Sequence, residues 1–139
     1  MIDAQGNLRG VSGSAGRNGF VGGGYANTTN AQNSFIGNGS LNTTFGYSSV
    51  IGGGNANTSS GYCSFVGGGG NSGSTIYANT ASGTASAIVN GLSCTASGTS
   101  SFVGNGYNNN ATALHSAILA GTNGTTRGII GNQVFPACN

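Results

Sequence analysis

Side chains able to do acid–base, nucleophilic or metal chemistry are scarce in this chain of 139 residues. Its only carboxylate side chain is Asp3 and its only imidazole is His115. General acid–base catalysis needs such groups within reach of one substrate, and these two stand near opposite ends of the chain. His115-Ser116 has the look of a base beside a nucleophile. Ser116, however, belongs to a recurring serine column, and His115 to a variable position held elsewhere by Asn33, Ser48, Cys63, Ala85 and Ser100. A solvated or partner-facing histidine is the expectation. Cys63, Cys94 and Cys138 lack metal-ligand spacing, and three thiols cannot all pair within one chain. Cys63 and Cys94 are expected as small buried substitutes, and Cys138, near Pro136, is the candidate for an inter-chain disulfide. The runs Gly52-Gly53-Gly54 and Gly67-Gly68-Gly69-Gly70 suggest phosphate cradles, but no Gly-Lys-Ser/Thr follows and the run recurs by period, so they read as turns. The Asn-x-Ser/Thr sequences at Asn27, Asn38, Asn42, Asn57, Asn110 and Asn123 mostly follow from the repeat and acquire meaning only in a glycosylating host. No catalytic, cofactor or metal site is expected, and the chain reads as a non-enzyme.

What must position these residues is a ladder. Val21, Ile36, Ile51, Val66, Ile88, Val103 and Ile118 are all β-branched and stand 15, 15, 15, 22, 15 and 15 residues apart. The residue before each reads Phe20, Phe35, Val50, Phe65, Ala87, Phe102 and Ala117. Serine precedes that at Ser34, Ser49, Ser64, Ser86, Ser101 and Ser116. Glycine follows three residues after the Val/Ile column, from Gly24 through Gly121, and Thr28, Thr43, Thr58, Thr80, Thr95, Asn110 and Thr125 come seven after it, or fourteen for Thr80, where the insertion intervenes. Asn27, Asn42, Asn57, Asn79 and Asn109 precede members of that column, and a second glycine column holds Gly46, Gly61, Gly83, Gly98 and Gly128, with Ala31 and Ala113 in its gaps. Low-complexity disorder does not keep such a register.

A fixed period means stacked units, none of which buries its apolar face alone. Fifteen residues are too few for a helical hairpin and suit one turn of a parallel β-solenoid, with two strands of about five residues and two tight turns where glycine supplies φ > 0. Coils about 4.8 Å apart would make seven of them about 34 Å tall. Serine, asparagine and threonine are expected to stack, each bonding its copy one coil away. Strand neighbours face opposite ways, and here both the Phe and the Val/Ile neighbours are apolar. One stripe lines the core, the other must be covered, and identical stripes meeting around an axis predict a homotrimer.

Formal charge is limited to Asp3, Arg9, Arg17 and Arg127, so a basic patch for nucleic acid or anionic membrane is not expected. No apolar run approaches the roughly 20 residues that span a bilayer, so membrane insertion is not expected either. The start Met1-Ile2-Asp3-Ala4-Gln5 lacks a basic stretch followed by an apolar one, so signal-peptide export is not expected. The organisation reads as an N-terminal arm at 1–17, which holds three of the four charges and is the expected attachment segment, a repeat body at 18–127, and a cap at 128–139. The seven-residue insertion Gly70-Asn71-Ser72-Gly73-Ser74-Thr75-Ile76, with Tyr77 at its base, is expected to bulge outward and is the candidate recognition loop.

The pattern Ser-Phe-Val-Gly-Gly-Gly-x-x-Asn-Thr-x-x-Gly-x-x-Ser resembles the head repeats of trimeric autotransporter adhesins (the YadA-like head). Matching positions are Ser34-Phe35-Ile36-Gly37, Ser49-Val50-Ile51-Gly52, Ser64-Phe65-Val66-Gly67, Ser86-Ala87-Ile88, Ser101-Phe102-Val103-Gly104 and Ser116-Ala117-Ile118. The resemblance spans about residues 18 to 126 and implies an all-β fold, a left-handed parallel β-roll assembled as a homotrimer. Similar repeats occur in viral fibres, and the Phe-rich column and triple glycines, without heptads or barrel strands, are closer to those. The expected function is therefore a trimeric fibre or capsid decoration protein on a virion surface. Its expected partners are copies of itself, a virion or surface protein reached through the arm, and a host receptor or glycan. A cellular surface adhesin head and an ice-binding solenoid with its Thr column on a flat face are the alternatives.

Overall fold

The computed structural model describes residues 13–15, 18–126 and 133–134. Among these there is no helix, and the chain winds as a parallel β-solenoid of about seven turns. One eight-stranded sheet carries the Val/Ile column in the strands Phe20–Val21, Phe35–Ile36, Val50–Ile51, Phe65–Val66, Ala87–Ile88, Phe102–Val103 and Ala117–Ile118, and Gln133–Val134 pairs on the last of these. The other carries the Thr column, from Asn27–Thr29 to Thr125–Thr126, and Gly13–Ala15 pairs in parallel on its first strand. The register is one coil per step throughout: Val50 sits over Phe65 and Ile51 over Val66.

Most strands are only two residues long, shorter than the five or so expected, because each coil is interrupted by left-handed residues. Besides Gly54 (φ 93°), the coil around residue 60 holds Ala56 (φ 56°) and Cys63 (φ 53°) in this region. A peptide turned in this way reverses the direction of its N–H. Phe65 N–H donates forward to Ser86 O at 2.9 Å, whereas Ala56 and Cys63 donate backward to Ser40 O and Tyr47 O, each at 2.9 Å. Both neighbours of a coil are thereby held by backbone bonds.

The core between the sheets is the Val/Ile column set against Ala81, Ala96 and Ala111, all fully buried. The asparagine column closes the core at one side. Asn57 Nδ2 donates to Gly53 O at 3.1 Å and to Gly69 O at 3.0 Å, and its Oδ1 accepts from Asn79 N–H at 3.0 Å. The expected stacking is thus present, but it runs mainly from side chain to backbone. Where the asparagine is missing the turn opens: Gly91 before Cys94 and Gly121 before Gly124 have φ of 133° and 130°.

The serine column departs from expectation. Ser34, Ser64 and Ser116 donate to the carbonyls of Ala31, Gly61 and Ala113 in their own turns, at 2.9, 2.8 and 2.7 Å, and not to copies in the next coil. Ser64 also meets Ser59 at 2.7 Å across the core. The residues facing Ser86 and Ser101 in the same way are Ala81 and Ala96, and the hydroxyls of Ser86 and Ser101 are buried without a partner. The second glycine column serves close approach: a Cβ on Gly61 would stand 2.0 Å from Gly83 O.

Candidate functional site

The buried polar groups near His115 are engaged in the fold. Ser116 is buried, its hydroxyl donating to Ala113 O and accepting from Thr126 Oγ1 at 2.9 Å, while the adjacent His115 is exposed. His115 stands in the left-handed turn column, with φ 56° and its N–H bonded to Thr99 O at 2.9 Å. Among the described residues no three His, Cys, Asp or Glu side chains come together. Cys94 is buried as expected, with Sγ 3.6 Å from Leu92 O and 3.5 Å from Gly106 O. Cys63 is not buried. It belongs to the same turn column as His115, whose side chains point out to solvent. Both are free thiols. Cys138 lies outside the described residues, as do the arm at 1–17 apart from Gly13–Ala15 and the segment 128–139 apart from Gln133–Val134.

The candidate features are on the surface, and the first is the outer side of the apolar sheet. The Val/Ile column is inside, so the Phe column faces out, with Phe35 and Phe65 each 39 % exposed. Phe20 and Phe35 stack in parallel, ring centroids 5.1 Å apart. Two residues along each strand, on the same side, stand Gly22, Gly37, Gly52, Gly67, Val89, Gly104 and Leu119. The two columns compensate. Phe20, Phe35, Phe65 and Phe102 are followed by glycine, and each ring reaches over it: a Cβ there would lie 3.1 to 3.4 Å from the phenyl Cε1. Ala87 and Ala117 are followed instead by Val89 and Leu119, 49 % and 54 % exposed. Apolar bulk thus lost at the Phe column in two coils is regained two positions on. Core packing cannot be the cause, since every one of these side chains points away from the core. Sequence reasoning missed this pairing, although the Phe-x-Gly against Ala-x-Val/Leu exchange is visible in the chain.

No protein-family model matches this chain, and no curated protein matches its sequence. Function must therefore be read from the surfaces themselves.

The second feature is the insertion. Asn71–Ser72 and Thr75–Ile76 pair antiparallel around Gly73-Ser74, making a hairpin with a two-residue loop. Gly73 takes φ 63° at the first loop position, where such a turn requires glycine. Tyr77 N–H donates to Gly70 O at 2.8 Å and closes the base. The stack continues across the insertion without a slip: Thr58 pairs with Thr80 and Phe65 with Ala87. The hairpin walls one end of a groove of about 570 Å³, lined among others by Asn71, Asn90, Leu92, Asn105, Tyr107 and Thr122. Tyr77, under the hairpin, meets Tyr107 edge-to-face at 5.7 Å.

Proposed function

We propose that the chain is a non-enzymatic structural and recognition protein, a left-handed β-roll that works as a homotrimer in a fibre or decoration on a virion surface. The observation that carries this reading is the outward apolar column of Phe20, Phe35, Val50, Phe65, Ala87, Phe102 and Ala117, with its bulk maintained by Val89 and Leu119. A contiguous apolar stripe along a rigid face favours burial against another macromolecule. Three identical stripes around one axis cover one another in a closed arrangement. The resemblance of the repeats to YadA-like heads and viral fibre repeats supports the same assembly and the virion setting.

Attachment is assigned to the N-terminal arm, and recognition of a host receptor or glycan to the hairpin at 70–76. Mass spectrometry and immunogold labelling of purified particles test the setting. Gold on the particle exterior is expected, and its absence from particles, with the protein found on cell envelopes, would move the reading to a cellular adhesin.

A second reading keeps one observation in its favour. Thr28, Thr43, Thr58, Thr80 and Thr95 form an uncharged rank on the outer side of the second sheet, with the in-register spacing an ice-binding face needs. The rank two residues on is broken by Phe45, which is 57 % exposed. Thermal hysteresis in a freezing-point measurement would favour this second reading, and ordinary colligative freezing would dismiss it.

A further inference from the structure

The groove beside the hairpin carries more than a general recognition role. It runs along the stack from Gly69 past Asn90 and Asn105 to Thr122, three inter-coil steps or about 14 Å. Its two central amides are fixed in orientation. Asn90 Oδ1 accepts from Gly91 N–H at 2.8 Å, and Asn105 Oδ1 accepts from Gly106 N–H at 2.7 Å. Each Nδ2 therefore points away from the turn, and neither has a partner among the described residues. The result is a pair of parallel amide donors one coil apart, on exposed residues. Beside them Tyr107 is 42 % exposed and offers a ring, a hydroxyl and apolar continuity with Leu92.

We infer that this groove binds a neutral oligosaccharide. An uncharged polyhydroxyl chain supplies acceptors to the two amides and to Asn71 and Thr122, while the C–H face of a sugar ring lies against Tyr107. A few fixed polar groups around an aromatic surface is the usual make-up of a ligand site. No charged side chain occurs between residues 18 and 126, so nothing here selects a sulfated, phosphorylated or sialylated ligand. An extended peptide is a poorer match. The backbone amides lining the groove are already taken, Leu92 N–H by Gly106 O and Tyr107 N–H by Gly121 O, each at 2.9 Å, so no strand edge is open for pairing. The inference deepens the recognition role proposed above, yet it rests on the geometry of one chain and not on the trimer. In a trimer three equal grooves at one height would convert weak single-site binding into avidity.

The test is an array of neutral, sialylated and sulfated oligosaccharides probed with the purified full-length protein, followed by titration of the best neutral glycan. Two variants are titrated alongside. Asn90→Asp with Asn105→Asp keeps the Oδ acceptors for Gly91 and Gly106 while removing both donors, and Tyr107→Ala removes the ring. The expected result is binding of a neutral glycan, weakened about tenfold or more in each variant, with the melting temperature nearly unchanged. If either variant loses its melting transition, the other decides alone. Absence of any neutral binder, preference for charged glycans, or a neutral affinity indifferent to the variants overturns the inference. The same samples are weighed by light scattering. A monomer that binds a neutral glycan defeats the trimer and keeps the groove, and a trimer that binds none does the reverse.

Discussion

Single residues in this roll are strained or satisfied by their column, and two substitutions expose this. Ala85 stands at φ 53°, a conformation that costs an L-residue energy because Cβ crowds the following carbonyl. Ala85→Gly is expected to raise stability by about 1 kcal/mol and Ala85→Val to lower it by at least as much, read from denaturant midpoints. Cys94 interrupts the asparagine ladder. Its backbone N–H still donates to Asn79 Oδ1 at 2.9 Å, but it offers no side-chain oxygen to the next member, Asn109. Cys94→Asn restores that acceptor and replaces two long thiol contacts by amide bonds. A gain of about 1 kcal/mol is expected, with a higher melting temperature as the readout. A fall in stability would mean that the ladder does not act through Asn side chains.

At the scale of elements, the coil repeat and its β-branched Val/Ile column were legible because a stack of equal coils places the same residue type at the same position of every coil. Three things were not. Adjacent apolar residues on a two-residue strand leave open which of them faces inward, and the full burial of the Val/Ile column, against 39 % exposure at Phe35 and Phe65, decides it. The left-handed turn column was hidden because Ala85, Ser100, Cys63 and His115 lack the glycine or asparagine that would signal it, its conformation being set by the reversed backbone bond. The serine column suggested ladders, whereas a hydroxyl three residues past a carbonyl in a tight turn finds that carbonyl first. The insertion was legible as an outward excursion, and Gly73-Ser74 between short polar runs was an available hairpin signal. Removing residues 70–76 joins coils whose registers already match, so thermal stability is expected to stay within about 1 kcal/mol of the parent. A large loss of cooperativity would show that the hairpin holds the stack together.

For the whole molecule the central distinction is between the inner and outer apolar columns of one sheet. Val103 is fully buried inside its own roll, so Val103→Asp places an unpaired charge in every core and is expected to abolish folding, at several kcal/mol per chain. Phe35→Asp with Phe65→Asp places charges on the outer face, where the single roll tolerates them. That variant is expected to keep its β-rich circular dichroism and lose its oligomeric state. The decisive experiment is the mass in solution by light scattering coupled to size exclusion. Three times the 13.4 kDa chain mass is expected for the parent protein, and a folded single chain for the Phe35/Phe65 variant. A parent protein that runs as a soluble, cooperatively folding monomer would refute the trimer.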